Sequence, residues 1–415
     1  MVRNKNRIKV QPALHLLFLL ACFFPYVSLV PLSTDVQPFA LIFALLIIAT
    51  TPPKTLYLPI NIWLLGVPAI GCIFYIFQLS DTFSGLRTIA NYLSLFAISS
   101  AGYIVFHRQK IDMEKFLLYT IIIWITIGIL QVTVDKYIGS FLLSELRTTD
   151  ERGVTSLATE PSFFGIMCLF YIFFFLLQDK VKRSNIVLAL LPILLLAQSS
   201  IIILFLALGI GSYSIISIIN GKHFLTSFFI VLVATFIVYA VFQYFQDIRL
   251  FKILTLLAES PSALLKIDAS VNERFAHIFL PFKSIVDFNL FPQGIDSKSW
   301  VEYFYINKAL FPDLLWYAET ESRIMSGYGK IIFEFGLIGV VFIFIINYGI
   351  LQQRLPWPTL AAFFTMLNLM LLSAIPLSHP LIGLIISYMY FRINVNKAEK
   401  NSILISATKN GQISL

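Results

Sequence analysis

Apolar runs of about 18 to 24 residues recur along the whole chain, each long enough to cross roughly 30 Å of hydrocarbon as a helix rising 1.5 Å per residue. Of 415 residues, 58% are hydrophobic and only 13% charged, roughly half the charge a soluble surface needs. An all-α polytopic membrane protein is the expected fold class. About twelve transmembrane helices are expected, over residues 12–32, 37–50, 56–79, 87–106, 116–134, 161–178, 186–198, 200–219, 224–245, 327–350, 358–376 and 380–392. The seventh and twelfth are short, so 186–219 also reads as one interrupted hairpin around Gln198, Ser199 and Ser200.

Lys and Arg crowd every second connection: MVRNKNRIK at the start, Lys54, HRQKIDMEK, DKVKRS, Lys222, Arg354 and the tail after Arg392. By the positive-inside bias these face the cytoplasm, with both termini. The alternate connections near Thr34, Ser80, Ser199 and Ser378 carry almost no positive charge, as the outer side requires. The basic start followed by an apolar run has no A-x-A-like cleavage site and reads as a retained first helix. Cys22, Cys72 and Cys168 all fall in apolar spans, which indicates neither a disulfide framework nor a Cys/His metal site. The formal net charge of +8 restates the inside bias and points to no nucleic acid.

Two connections break the pattern of short loops, and the chain divides accordingly. N-terminal spans occupy 1–134, a first long external loop 135–160, central spans 161–245, a large external loop 246–326, C-terminal spans 327–392 and a cytoplasmic tail 393–415. Loops this long are usually functional. The larger mixes Trp, Tyr and Phe with charges and carries helix signals of its own, which suits a small folded cap. Ser260-Pro261 followed by SALLK reads as a helix start, and Ser270 with Glu273 fits a capping box. On that second helix Glu273, Arg274 and His277 are expected on a polar edge open to substrate, with Phe275, Ile278, Phe279 and Phe282 as an apolar stripe.

Four stretches carry a resemblance: Arg152 to Gly165 with its E-P-S-x-F-G element, QSSIIILFLALG at 198–209, Arg274 to Gly294, and SGYGKIIFEFGLIG at 326–339. In this order and sidedness the chain resembles the O-antigen polymerase and O-antigen ligase superfamily of membrane glycosyltransferases. The resemblance implies a multi-pass protein of the bacterial inner membrane with its active site facing the periplasm or exterior. It implies a polyprenyl-diphosphate-linked oligosaccharide as substrate, no cofactor or metal, and a chain-length regulator and a flippase as partners beside the lipid bilayer. It places donor and growing chain at Arg152 with Gly165 and at Arg274 with Gly294. The ligase branch usually carries a histidine before the final element; Met325 and Ser326 stand there, which favours polymerase.

Elementary chemistry asks for the same residue types. A diphosphate leaving group gains negative charge in the transition state, and the planar guanidinium holds two phosphate oxygens while keeping its charge near lipid. Arg152, Arg274 and Arg323 are the candidates. The attacking sugar hydroxyl must lose a proton, for which Glu160 is the first-choice base and His277 the second. No D-x-D pair occurs on the expected external loops, and a lipid diphosphate requires none, so a metal-independent inverting transfer is expected. Trp300, with Tyr303, Tyr305, Trp316 and Tyr317, can stack on sugar faces or form an interfacial belt; Tyr328 belongs to the SGYGK element. Glu160-Pro161 can equally just start a helix, Lys330 and Glu334 one turn apart read as a mutually neutralising pair, and His379 reads as structural. A ligase, or a transporter of lipid-linked oligosaccharide, remains as the alternative function; no internal repeat supports a transporter.

Overall fold

The computed structural model describes residues 7–28, 34, 36–52, 61–77, 82–108, 111–148, 153–220, 260, 265–266, 268–317 and 324–409. Arg152, Arg323, the expected span 224–245 and the expected helix from Pro261 lie outside these described residues. The described elements are helical, with one isolated bridge between Val27 and Leu143. They are α1 (Arg7–Phe23), α2 (Phe39–Thr50), α3 (Asn61–Phe77), α4 (Thr82–Arg108), α5 (Met113–Thr133), α6 (Pro161–Leu176), α7 (Arg183–Pro192) with a π turn at Ile193–Ala197, and α8 (Ser200–Ile219). There follow α9 (Ala269–Asp287), α10 (Ser297–Leu310), α11 (Gly327–Phe335), α12 (Leu337–Leu351), α13 (Trp357–Ser373) and α14 (Pro380–Lys409). Segments Gly85–Arg108, Met113–Thr133 and Ser200–Ile219 are each long and apolar enough to cross a membrane.

The sequence of α6, PSFFGIMCLFYIFFFL, is apolar on every side, and such a helix belongs at the centre of a bundle. All of it except Ser162 and Phe163 is buried. Its neighbours are α5, α7, α8 and α13. Aromatic edges lock these contacts, with Phe173 against Phe363 of α13 at 4.9 Å and Phe174 against Phe23 of α1 at 5.3 Å. Around α4 a second set forms from α2, α3 and α14.

Charge separates the two ends. At one, Lys182 pairs with Glu114 at 2.7 Å and Arg392 with Asp179 at 2.9 Å, tying together connections that the sequence assigns to the cytoplasm. At the other end lie the connections assigned outside, and their backbone turns inward. Residues 153–159 leave the surface and are buried: Ser156 donates from its hydroxyl to Trp124 O at 2.6 Å and from its amide to Gln131 Oε1 at 2.6 Å, while Val154 N–H donates to Leu196 O in the π turn at 2.9 Å. Irregular backbone among apolar helices survives only when its polar groups are paired in this way. The small polar run VTSLAT is thus a buried plug rather than an exposed rim.

Two expectations are corrected here. The expected single span 327–350 is two helices, broken at Gly336, whose φ of +55° and ψ of −125° suit only glycine. The break leaves carbonyls at the end of α11 that need donors. They come from the connector after α9: Gln293 N–H donates to Phe333 O and Gly294 N–H to Glu334 O, both at 3.1 Å, and Leu337 N–H returns to Leu290 O at 3.0 Å. The second correction concerns the start of α9. Its cap is Asp268, whose carboxylate accepts Val271 N–H at 3.0 Å, rather than the expected Ser270 with Glu273. A carboxylate at that position satisfies a free amide and complements the helix dipole, so the helix begins earlier.

Above this end α9 and α10 share an apolar core of Ala276, Leu280, Trp300, Tyr303, Phe304, Leu315, Ile324 and Phe333. Phe333 belongs to α11, so the broken helix is the floor on which this pair of helices stands.

Candidate functional site

Along α4 the residues Arg87, Thr88, Asn91 and Ser94 recur at helical spacing and make one polar stripe on an otherwise apolar helix. α11 faces it with Lys330, Phe333 and Glu334, again one turn apart. Between the two lies a cavity of about 660 Å³. Its wall is completed by Gln37 before α2, by Gly294 and Asp296 from the α9–α10 connector, by Trp300 of α10, and by Ser378 and His379 in the α13–α14 turn. A smaller cavity of about 390 Å³ lies at the same end, against Gln131, Lys136, Val154 and Gln198. The larger one is in the size range of ligand pockets and holds most of the chemistry.

A polar chain runs down one side of it. Lys330 Nζ is 3.6 Å from Glu334 Oε1 and donates to Thr88 Oγ1 at 3.3 Å, while the Tyr92 hydroxyl donates to Glu334 Oε2 at 2.6 Å. Glu334 is 6% exposed, and a carboxyl group so buried needs polar partners, which Tyr92 and Lys330 supply. Arg87 differs: it is exposed to the cavity side and has no hydrogen bond or ion pair with any described residue. Asp296 uses its Oδ1 to accept Lys298 N–H at 3.1 Å, capping α10.

His379 is held on three sides. Its Nδ1 accepts Leu381 N–H at 3.3 Å, which puts the proton on Nε2, where it donates to the Tyr26 hydroxyl at 3.2 Å; the ring stacks on Phe170 at 5.4 Å. Burial keeps the imidazole neutral and lowers its pKa to about 3. In an unfolded chain the value is about 6.5. The native state therefore has its full stability above pH 6.5 and loses it as pH falls toward 3, because only the unfolded chain takes up the proton. The thermal midpoint of purified protein should fall as pH is lowered from 7 to 4.5, and His379→Gln should show a shallower fall; equal slopes in the two proteins would reject the assignment.

Of the residues singled out by sequence, Gly294 and Trp300 line the cavity. Gly294 has φ +81° and so bends the connector into place; Trp300 is 3% exposed and sits in the core above, 5.6 Å from His277. His277 is not on an open polar edge: it is 2% exposed, its ring lies against Trp300, and its Nδ1 accepts Met325 N–H at 3.4 Å. The reason is the face that α9 buries, Asn272, Ala276, His277, Leu280 and Ser284, which turns the Phe275 and Phe279 side partly outward. Arg274 is half-buried on the same helix and is not part of the cavity wall.

Glu160 caps the start of α6 from an extended conformation ahead of Pro161, and its carboxylate meets Arg147 Nε at 3.2 Å and the Ser162 hydroxyl at 3.0 Å. It also stands outside the cavity wall, which α6 reaches only through Phe163. Gly165 is a packing position: a Cβ there would come within 2.9 Å of Ile202 in α8. Tyr328 is buried in a closed set, donating to Asn368 Oδ1 at 2.8 Å while Asn368 donates to Asn347 Oδ1 at 2.7 Å. Of the five loop aromatics, Trp300 and Tyr303 are core, whereas Tyr305 and Trp316 remain exposed. Among the described residues no three His, Cys, Asp or Glu side chains are grouped to hold a metal ion.

Sequence reasoning missed Arg87, Arg147 and the role of Asn91. A signal for Arg87 existed. It lies at the outer end of its expected span, beside one of the short connections that carry almost no positive charge, and Thr88, Asn91 and Ser94 continue its face. No family model, curated protein or solved structure matches this chain.

Proposed function

We propose that the protein is a polysaccharide polymerase of the O-antigen type, with about twelve membrane spans and both termini in the cytoplasm. It transfers the glycan of a polyprenyl-diphosphate-linked donor onto another lipid-linked repeat unit at the outer face of a bacterial inner membrane. The reading rests on the sequence resemblance, and one observation favours it: Arg87 and Lys330 stand on a cavity whose other polar lining is mostly uncharged. Lys330 has Glu334 as its counter-ion, whereas Arg87, with no carboxylate partner among the described residues, suits an anionic ligand. Arg87, lacking a partner among the described residues, is free to take the phosphate oxygens, and the uncharged polar wall of Gln37, Asn91, Ser94 and Ser378 suits sugar hydroxyls. The α9–α10 connector, which joins the wall through Gly294 and Asp296, would help to exclude water from the reacting centre.

The test is gel separation of surface glycan from a strain lacking the protein. Loss of the ladder with the single-unit band retained supports the polymerase. Disappearance of that band as well, leaving undecorated acceptor, replaces it with a ligase or a transporter.

A further inference from the structure

Six ionisable groups line the large cavity: Tyr26, Arg87, Asp296, Lys330, Glu334 and His379. A transferase needs one of them, or a neighbour, to take the proton of the attacking hydroxyl. The alternatives to Glu334 are engaged in holding local structure in place. His379 has its Nδ1 engaged by Leu381 N–H and its Nε2 proton by Tyr26. Asp296 accepts Lys298 N–H at the start of α10. Glu160, outside the wall, is shared between Arg147 and Ser162.

Resting on the transferase reading, we infer that Glu334 is the catalytic base. Its carboxylate has one short hydrogen bond, from Tyr92, and one long ionic contact, 3.6 Å to Lys330, which leaves acceptor capacity on both oxygens. It is fixed on a half-helix whose end is pinned by the α9–α10 connector, so its place is set by backbone as well as by side-chain contacts. The cations beside it divide the work. Lys330 lies next to the carboxylate, whereas Arg87 stands without a carboxylate partner among the described residues.

In the step, the acceptor oxygen bonds to the anomeric carbon as its proton passes to Glu334. The bond from that carbon to the diphosphate oxygen breaks, and the electron pair leaves on the diphosphate, whose charge Arg87 meets. Inversion at the carbon follows from attack opposite the leaving group. The proton then leaves Glu334 for water or for the released diphosphate, and the carboxylate is restored.

The experiment uses the full chain in nanodiscs, lipid-linked repeat units extracted from the deletion strain as substrate, and undecaprenyl diphosphate as binding probe. Glu334→Gln should lower the transfer rate by about 10²- to 10⁴-fold, with binding of undecaprenyl diphosphate unchanged within about threefold. Tyr92→Phe, which removes one stabilising donor from the carboxylate, should fold, transfer at a reduced but measurable rate and move the acid limb of the rate profile to higher pH. This second variant decides the matter if Glu334→Gln does not fold, because a purely structural carboxylate would leave the acid limb where it was. Transfer by Glu334→Gln within threefold of the parent, or an acid limb unmoved in Tyr92→Phe, overturns the assignment alone. A parent that neither binds the probe nor transfers overturns the transferase reading, and the base with it.

Discussion

Arg87→Gln will lower glycan transfer by about 10²- to 10³-fold, the usual loss when one preorganised donor to a developing anion is removed. Thermal stability should stay within about 0.5 kcal/mol of the parent, as for a surface substitution away from packing. That separation follows from geometry: Arg87 lies on the cavity wall and bonds to no other described residue, so folding does not depend on its guanidinium. Arg87→Lys should recover part of the rate, since charge returns while the two-pronged hydrogen bonding does not. Arg354→Gln, an exposed cation at a connection assigned to the cytoplasm, is the matched control and should change nothing. A ladder of normal length, and a transfer rate within threefold of the parent, in Arg87→Gln would remove the cavity from the reaction.

What the sequence makes visible here is local, and what it hides is long-range. The Glu160-Pro161 pair marks the start of α6, and the run from Ser200 coincides with α8, because a proline at the first helical position and continuous apolar residues act through the nearest neighbours in the chain. The burial of 153–159 was not legible. Thr and Ser read as loop residues until Trp124, Gln131 and the π turn, all distant in sequence, supply their partners. His277 was misplaced for a related cause: Glu273, Arg274 and His277 suggest a polar edge, yet α9 is oriented by the apolar contacts of Ala276 and Leu280, which carry His277 inward. Arg87 was overlooked through attention to long loops, although a helix that crosses lipid has few reasons to keep a cation and an asparagine on one face. Lys330 and Glu334 read as a neutral pair, and they are one; the sequence could not add that Tyr92 and a cavity stand beside them.

Gly336→Ala should have the largest effect on folding. A Cβ at this position would overlap Leu290 O, and the backbone at φ +55° and ψ −125° is closed to alanine. Neither conflict can be relieved by a side-chain rotation, because the obstructing atom is backbone and belongs to the connector whose amides satisfy Phe333 O and Glu334 O. Straightening the helix instead would draw α11 away from those donors and leave carbonyls unpaired among apolar side chains. The expected cost is more than about 3 kcal/mol, set by strain together with lost hydrogen bonds. In practice the tagged variant should be nearly absent from the monodisperse peak on fluorescence-detected size-exclusion chromatography. Gly211→Ala, in α8, is the comparison, since its added methyl meets nothing within 4 Å and the residue is helical; it should express like the parent. A normal peak from Gly336→Ala would mean that α11 and α12 tolerate a continuous helix. Lys330 and Glu334 would then owe their places on the cavity wall to something other than the break, and the link between fold and site drawn here would be lost.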